Sequence, residues 1–598
     1  MNEKRVLRKR GIGALGVVLV ALGACGEDRG KFSGAADDFD LDASTPDAPA
    51  ECKRQCSLDG RLVVDSCTGA VLETCPAELA CGAAVCQPPC DAAAADRSSN
   101  GCEFYFQMPR LASYLLPQSC FAAFLVNVST QPAVVSLEYD GRELDISKSL
   151  YAVSSADQSL RLLDGPLPPG ESAILFVADR PASAITGSPI EQTYKRCPTG
   201  TVPALSEVVP VLSTGIGPSF HVKSNNPLSA VSVYPFGGAF TYIPAATLLF
   251  PVTAWGKEHM LVTAWEAGAA GEPGVQIVAS EDDTEITIVP NRAIYGGPGV
   301  TGTPASVPVT YQLQRGQHLQ IVQSEELTGS VMSSTKPTSV FAGHGCALIP
   351  TGSSACEHLS QQLPAFEQWG NEYVAVGYRP RAGSEQEPLI YRIVAARDGT
   401  RLDYDPAVPG GAPVTMSAGE VATFRAGTGE PFVVRTQDAE HPIYVAAYMT
   451  GGGGDPVAKT DYGGEGDPEF VNVVPAGQYL SSYSFFADPS YAETSLVVIR
   501  AKTNGVFEDV WLECAGNLTG FVPIGMRGQY EFVRVDLSRR GGPGDSFDAG
   551  VCTTGLQRMR SVGAFTATVW GYDAYSSYAY PGGTAQRKLV ATPLDIVR

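Results

Sequence analysis

A chain that repeats itself must build one small structure several times over, and residues 103–583 do repeat. VQIVASEDDTEITI (275–288) and YRIVAARDGTRLDY (391–404) share the core I-V-A-x-x-D-x-T-x-[IL]. Each reads as strand, tight Asp-containing turn and strand, a hairpin of alternating apolar and polar residues. A second marker, an apolar residue and then Gly before an apolar strand, stands at Leu167–Gly170, Leu313–Gly316, Met416–Gly419 and Met526–Gly528. A third places Pro227, Pro337 and Pro442 just before apolar strands, where a missing amide proton costs least. A fourth is Trp255-Gly256 and Trp369-Gly370, 114 residues apart. The period is about 110 residues, which divides the region into units at 103–250, 251–362, 363–473 and 474–583 and leaves a tail at 584–598. About seven short strands per unit, split by Gly, Pro and Asp, predict tandem antiparallel β-sandwiches. A propeller is the alternative, at two blades per unit. The 64 glycines and 44 prolines among 598 residues suit turn-rich β structure, and helical periodicity is confined to connectors such as CEHLSQQ (356–362).

The N-terminus carries an address. Lys4, Arg5, Arg8, Lys9 and Arg10 precede an apolar run from Gly11 to Leu22, the length of a signal-peptide core and too short to span a bilayer. The run ends in Leu22-Gly23-Ala24-Cys25, similar to a bacterial lipobox, which makes residues 1–24 a lipoprotein signal peptide and Cys25 the lipidated first residue. The bland alternative is an ordinary secretory signal beside a chance cysteine. Gly26-Glu27, with no Asp after the cysteine, points to the outer membrane and a surface-exposed, lipid-anchored protein. Residues 25–50, acidic and small, read as a flexible tether.

Eight cysteines crowd residues 51–102: Cys52, Cys56, Cys67, Cys75, Cys81, Cys86, Cys90 and Cys102. In an exported protein this density predicts a disulfide-stapled module, although Cys52-x3-Cys56 and Cys86-x3-Cys90 would also space as zinc ligands. Six more fall into neighbours: Cys120 with Cys197, Cys346 with Cys356, and Cys514 with Cys552. His344 and His358 flank the middle pair, so a metal site competes there with the disulfide, which the oxidising compartment favours.

The string Glu326-Leu-Thr-Gly-Ser330, Ser334 to Gly343, Cys346, Cys356-Glu-His-Leu359, Gln362-Leu-Pro364 and Trp369-Gly370 resembles the N-terminal domain family of IgGFc-binding proteins, including its bacterial surface lipoproteins. The likeness runs from about 200 to 480 and, more faintly, to 577–583. The family's animal members carry further cysteine-rich modules after this domain, where this sequence stops. The resemblance implies an extracytoplasmic binding or adhesive module. It does not imply antibody binding.

No catalytic motif appears: no H-E-x-x-H, no G-x-S-x-G, no phosphate loop. The six histidines are scattered, with His259 and His318 in strand-like runs as paired core or surface residues rather than ligands. Nor is a cofactor called for. Asp455, Asp461, Glu465 and Asp467, in a Gly-rich loop, are weak calcium candidates without the regular spacing calcium loops show. Tyr572, Tyr575, Tyr578 and Tyr580 read as an adaptable contact surface or, more blandly, as a core strand. The formal charge of −21 excludes nucleic acid as a partner. The partners expected are a membrane, through the lipid, and an extracellular protein or glycan. The reading is a non-enzymatic surface adhesion module. A structural part of an envelope complex is the alternative, with a two-carboxylate glycan hydrolase behind it.

Overall fold

The computed structural model describes residues 53–595 apart from 58–59, 67, 113–118, 155–158, 180–193, 207, 209, 242 and 457–458. Cys25, Cys52, Cys67, the signal segment and the tether lie outside the described residues. Among the described residues the regular structure is nearly all β, and the named strands pair antiparallel throughout; the one α-helix there, Pro89–Asp96, sits in the cysteine-rich segment. That segment carries a three-stranded sheet and a two-stranded one, stapled by Cys56–Cys81 and Cys75–Cys86, while Cys90–Cys102 ties the helix to the following strand. These pairings consume Cys56, Cys86 and Cys90, which removes the zinc alternative there.

After it come a nine-stranded sheet, an eight-stranded sheet, two four-stranded sheets and a second nine-stranded sheet. The third block shows the plan most plainly: one four-stranded sheet holds Glu372–Ala375, Thr400–Asp405, Thr415–Met416 and Phe432–Thr436. The other holds Pro388–Ala395, Val421–Gly427, Ile443–Met449 and Glu469–Asn472. Elsewhere a long strand runs through both layers and joins them, as Phe220–Tyr234, Val331–Ala347 and Gly555–Asp573 do.

The prolines mark the corners of those layers. Along Val331–Ala347, the partner strand Pro273–Ala279 pairs up to Thr338 and Thr284–Val289 pairs up to Ser334, so the ladder is interrupted around Pro337. Pro442 falls in the gap between Phe432–Thr436 and Ile443–Met449, where the strand is broken outright. A proline has no amide for the ladder, so a corner tolerates it.

This corrects the hairpin reading of the I-V-A-x-x-D-x-T motif. Pro273–Ala279 and Thr284–Val289 do not pair with each other; both pair with Val331–Ala347, on either side of its corner. The turn between them therefore carries the chain from one layer to the next. Thr284 and Thr400, both fully buried, donate their hydroxyls to Glu281 and Arg397 carbonyls at 2.8 and 2.7 Å and so fix that crossing. The motif Asp reaches the second marker: Asp282 accepts from the Arg315 amide at 3.1 Å and Asp398 from the Ala418 amide at 2.9 Å. CEHLSQQ is also corrected. Glu357–Leu363 is a strand, buried along its whole length, and helical amphipathicity has no exposed face to serve there.

Short 3-10 turns at Val252–Ala254, Phe366–Gln368 and Ala476–Gln478 join the blocks. Trp255 and Trp369 follow the first two and return their indole N–H to the Phe250 and Pro364 carbonyls. The glycine after each tryptophan is a contact point. A Cβ on Gly256 would lie 2.5 Å from Ala365 Cβ, and one on Gly370 would lie 2.4 Å from Pro475 Cβ. Gln478 donates to the Gln368 carbonyl and Gln368 to the Ala254 carbonyl, which links the three turns in series.

The cores are shared between blocks. One joins residues of 104–255 to residues of 483–580; another joins 260–369 to 390–470; a third joins 373–474 to 479–579. The first and last blocks thus meet, with the Phe124 and Phe486 rings 4.6 Å apart. At the centre, Ala245–Leu248, Glu357–Leu363, Glu469–Asn472 and Ser576–Pro581 touch in cyclic order. Gln361 donates to the Ala246 carbonyl of a neighbouring strand and, across the ring, to the Ala579 carbonyl, both at 2.9 Å.

Candidate binding cleft

The titratable groups that could do chemistry are mostly inside. His259, His318 and His344 are buried and pushed down to about 4, and His358 to about 3, in each case by burial, so all four are neutral at pH 7. His221 is clamped between Glu103 at 2.7 Å and Glu138 at 2.9 Å and stacks on Tyr105. Its hydrogen bond holds the Glu103 carboxyl below the usual range. Only His441, bonded to Asp438, lies toward the surface.

Carboxyls are buried at the centre as well. Glu357, Asp467 and Glu469 are almost wholly enclosed. Burial raises all three: Asp467 to about 7, and Glu357 and Glu469 well above the carboxylate range, Glu357 further through its two acidic neighbours.

The calcium candidates separate. Asp455 is buried against Arg425 at 3.0 Å, Asp461 accepts from the Gly463 amide, Glu465 is exposed on its loop, and Asp467 turns inward to take the Gly452 amide. Among the described residues no three His, Cys, Asp or Glu side chains are grouped to hold a metal ion. Cys346 is bonded to Cys356, so neither sulfur is free to ligate beside His344 and His358. Cys120–Cys197 and Cys514–Cys552 are bonded too. The tyrosine surface is corrected: Tyr578 and Tyr580 are buried in the central strand Ser576–Pro581, Tyr572 is buried in Gly555–Asp573, and only Tyr575 is partly exposed. Strands covered on both faces lose the polar alternation that distinguishes a surface strand.

Sequence reasoning missed two charged pairs, one between the second and third blocks and one inside the third. Arg392 grips Glu326 through two bonds of 2.9 Å. Arg381 and Glu387, both fully enclosed, pair at 2.7 Å. Arg381 also donates to the Thr450 and Glu465 carbonyls and lies 3.7 Å from the Tyr462 ring centroid, which pins the Gly-rich loop. The Arg392-Ile393-Val394 and Glu326-Leu327-Thr328 strings were visible as motif letters, but nothing in the spacing paired them.

Two openings are large enough for a ligand. One, of about 510 Å³, is walled by Tyr491, Ser538, Pro543 and Asp573, and the Asp573 carboxylate is taken by the Ala492 and Ala574 amides. The other, of about 410 Å³, lies between the cysteine-rich segment, the first sheet and the last sheet. Asp96 and Asn100 line one wall, Ser129 another, and Ser482, Ser484 and Arg587 the third. The solvent face of the last sheet adjoins this cleft at Ser482. Ser482 is the register partner of Arg560, and Arg560 that of Trp511. The exposed Arg560 guanidinium lies over the half-buried indole, 4.5 Å from its ring centroid.

The family described as IgGFc binding protein matches residues 245–571, more than half of the sequence. The chain belongs to this family. It is also 25% identical over 379 residues to the human IgGFc-binding protein, an alignment that covers 62% of this chain and 6% of the human one. This chain thus spans a small fraction of that relative's length. The matched span contains the Glu326–Arg392 clasp, the buried Arg381–Glu387 pair and three of the four central strands, all but Ser576–Pro581.

Proposed function

We propose that this protein is a surface-tethered, non-enzymatic binding and adhesion module of the bacterial outer membrane, anchored through a lipid on Cys25 and recognising an extracellular protein or glycan. The observation that carries the reading is where the reactive groups sit. The buried histidines and central carboxyls face packed cores, while the open clefts are lined by hydroxyls, amides and a few charged side chains, the chemistry of recognition. The matched family and the human relative are both named for binding, which supports the same reading. The disulfides fit an oxidising compartment, and the lipobox-like tetrapeptide supplies the anchor.

The test is the full chain carrying Cys25→Ser, expressed in a bacterial host and labelled with an alkyne fatty acid. The wild-type protein takes the label and fractionates with the outer membrane, and the variant does neither. Unlabelled wild-type protein, or free thiols at the cysteines paired here, would overturn the anchoring and the compartment together.

A further inference from the structure

The proposed function leaves the ligand's chemistry open, and the cleft of about 410 Å³ narrows it. Resting on that reading, we propose that this cleft and the adjoining Arg560–Trp511 surface bind an acidic oligosaccharide. Sugar hydroxyls both donate and accept, so they need walls that do the same. Ser482, Ser484 and Asn100 offer donors and acceptors, and the Asp96 carboxylate is an acceptor. One Asp96 oxygen holds the Ala83 amide at 2.8 Å, which fixes the side chain in the cleft wall.

Charge decides for an acidic ligand. The sequence has 63 acidic and 42 basic residues, so a basic side chain has every opportunity to find a carboxylate. Arg558 does, at Glu513, one strand position pair away from Arg560. Arg560 and Arg587 have no carboxylate within ion-pair distance among the described residues, although both are exposed; Arg587 lines the cleft, and Arg560 is the register partner of Ser482 in its lining. Arg587 is instead held by the Gly477 carbonyl at 2.9 Å, which orients it without neutralising it. A guanidinium so placed forms paired hydrogen bonds with a carboxylate or sulfate. Trp511, whose ring carries the Arg560 guanidinium, leaves an indole edge beside it for the apolar side of a sugar ring. A peptide anchor would call for a deep apolar pocket, and Leu480 and Val128 are the only large aliphatic residues in this lining.

The experiment is titration calorimetry on the full chain with four probes: a uronate-containing tetrasaccharide, a sulfated tetrasaccharide, chitotetraose as a neutral control, and an acidic hexapeptide. The proposal expects at least one acidic sugar to bind more than tenfold tighter than chitotetraose, with affinity falling as salt rises. Which acidic sugar wins identifies the anionic group. Arg560→Ala and Arg587→Ala should each weaken that binding about tenfold, and Ser482→Tyr, which fills the cleft from an exposed position, should abolish it. Melting curves check that each variant is folded; were Ser482→Tyr to misfold, the two arginine variants still decide. Equal affinity for neutral and acidic sugars, binding of the hexapeptide alone, or folded arginine variants that bind like wild type would overturn the proposal. Normal anchoring through Cys25 in any of those cases would leave the broader reading standing.

Discussion

Single residues carry much of the specification. Gly370 occupies the place where the next block's Pro475 arrives, and an added methyl group there would meet Pro475 Cβ at 2.4 Å. Gly370→Ala should therefore cost about 1–3 kcal/mol as an overpacked contact, read as a lower midpoint in urea unfolding with an unchanged slope. Gly383, by contrast, has nothing within 4 Å of its added Cβ and serves as no control for packing, since its φ of +72° is itself restrictive. Arg381 makes a second case. Its charge is enclosed with that of Glu387, so Arg381→Ala should destabilise by about 3–5 kcal/mol, because the stranded carboxylate has no water to turn to. The double variant Arg381→Met/Glu387→Leu should recover most of that loss in the same unfolding assay.

At the scale of the element, the repeated letters were legible and their pairing was not. I-V-A-x-x-D-x-T announces two strands and a turn, and a two-strand reading of it is a hairpin. The buried Thr284 and Thr400 instead hold a crossing between layers, because Pro337 and Pro442 mark where the partner strand turns or breaks. Thr284→Val keeps the shape of the side chain while deleting the bond to the Glu281 carbonyl. It should cost about 1 kcal/mol in thermal unfolding and leave the disulfides formed. The all-β class and the pairings Cys120–Cys197, Cys346–Cys356 and Cys514–Cys552 could be read from the sequence, since turn composition and chain proximity are local properties. The cleft could not. Its walls come from residues as far apart as Asp96 and Arg587, and no local pattern records such a meeting.

For the whole molecule, buried ionisable groups of two kinds set opposing slopes of stability with pH. His259, His318, His344 and His358 have native values of about 3 to 4, below the roughly 6.5 of an unfolded histidine. Between about pH 6.5 and those lower values the unfolded chain binds more protons, so stability falls on acidification. Asp467 behaves in the reverse sense. Its native value of about 7 exceeds the roughly 3.9 of an unfolded aspartate, so the native state holds the extra proton and stability falls as pH rises from about 4 to 7. Glu357 and Glu469 are raised too and act in the same direction. Differential scanning across pH 4–8 should show Asp467→Asn removing part of the loss of stability between about pH 4 and 7, and His358→Gln removing part of the opposing gain between about pH 4 and 6.5.

The meeting of Phe124 with Phe486 has a consequence for how such a molecule comes into being. A chain emerging from its N-terminus first completes the strands around Phe121–Asn127 long before Leu480–Ala487 exists, and so must hold an oily half-surface open until the partner arrives. Contacts that far apart in sequence make assembly slow and place a demand on whatever escorts the unfinished protein. A premature stop before the last nine-stranded sheet would spoil the beginning of the molecule as surely as its end.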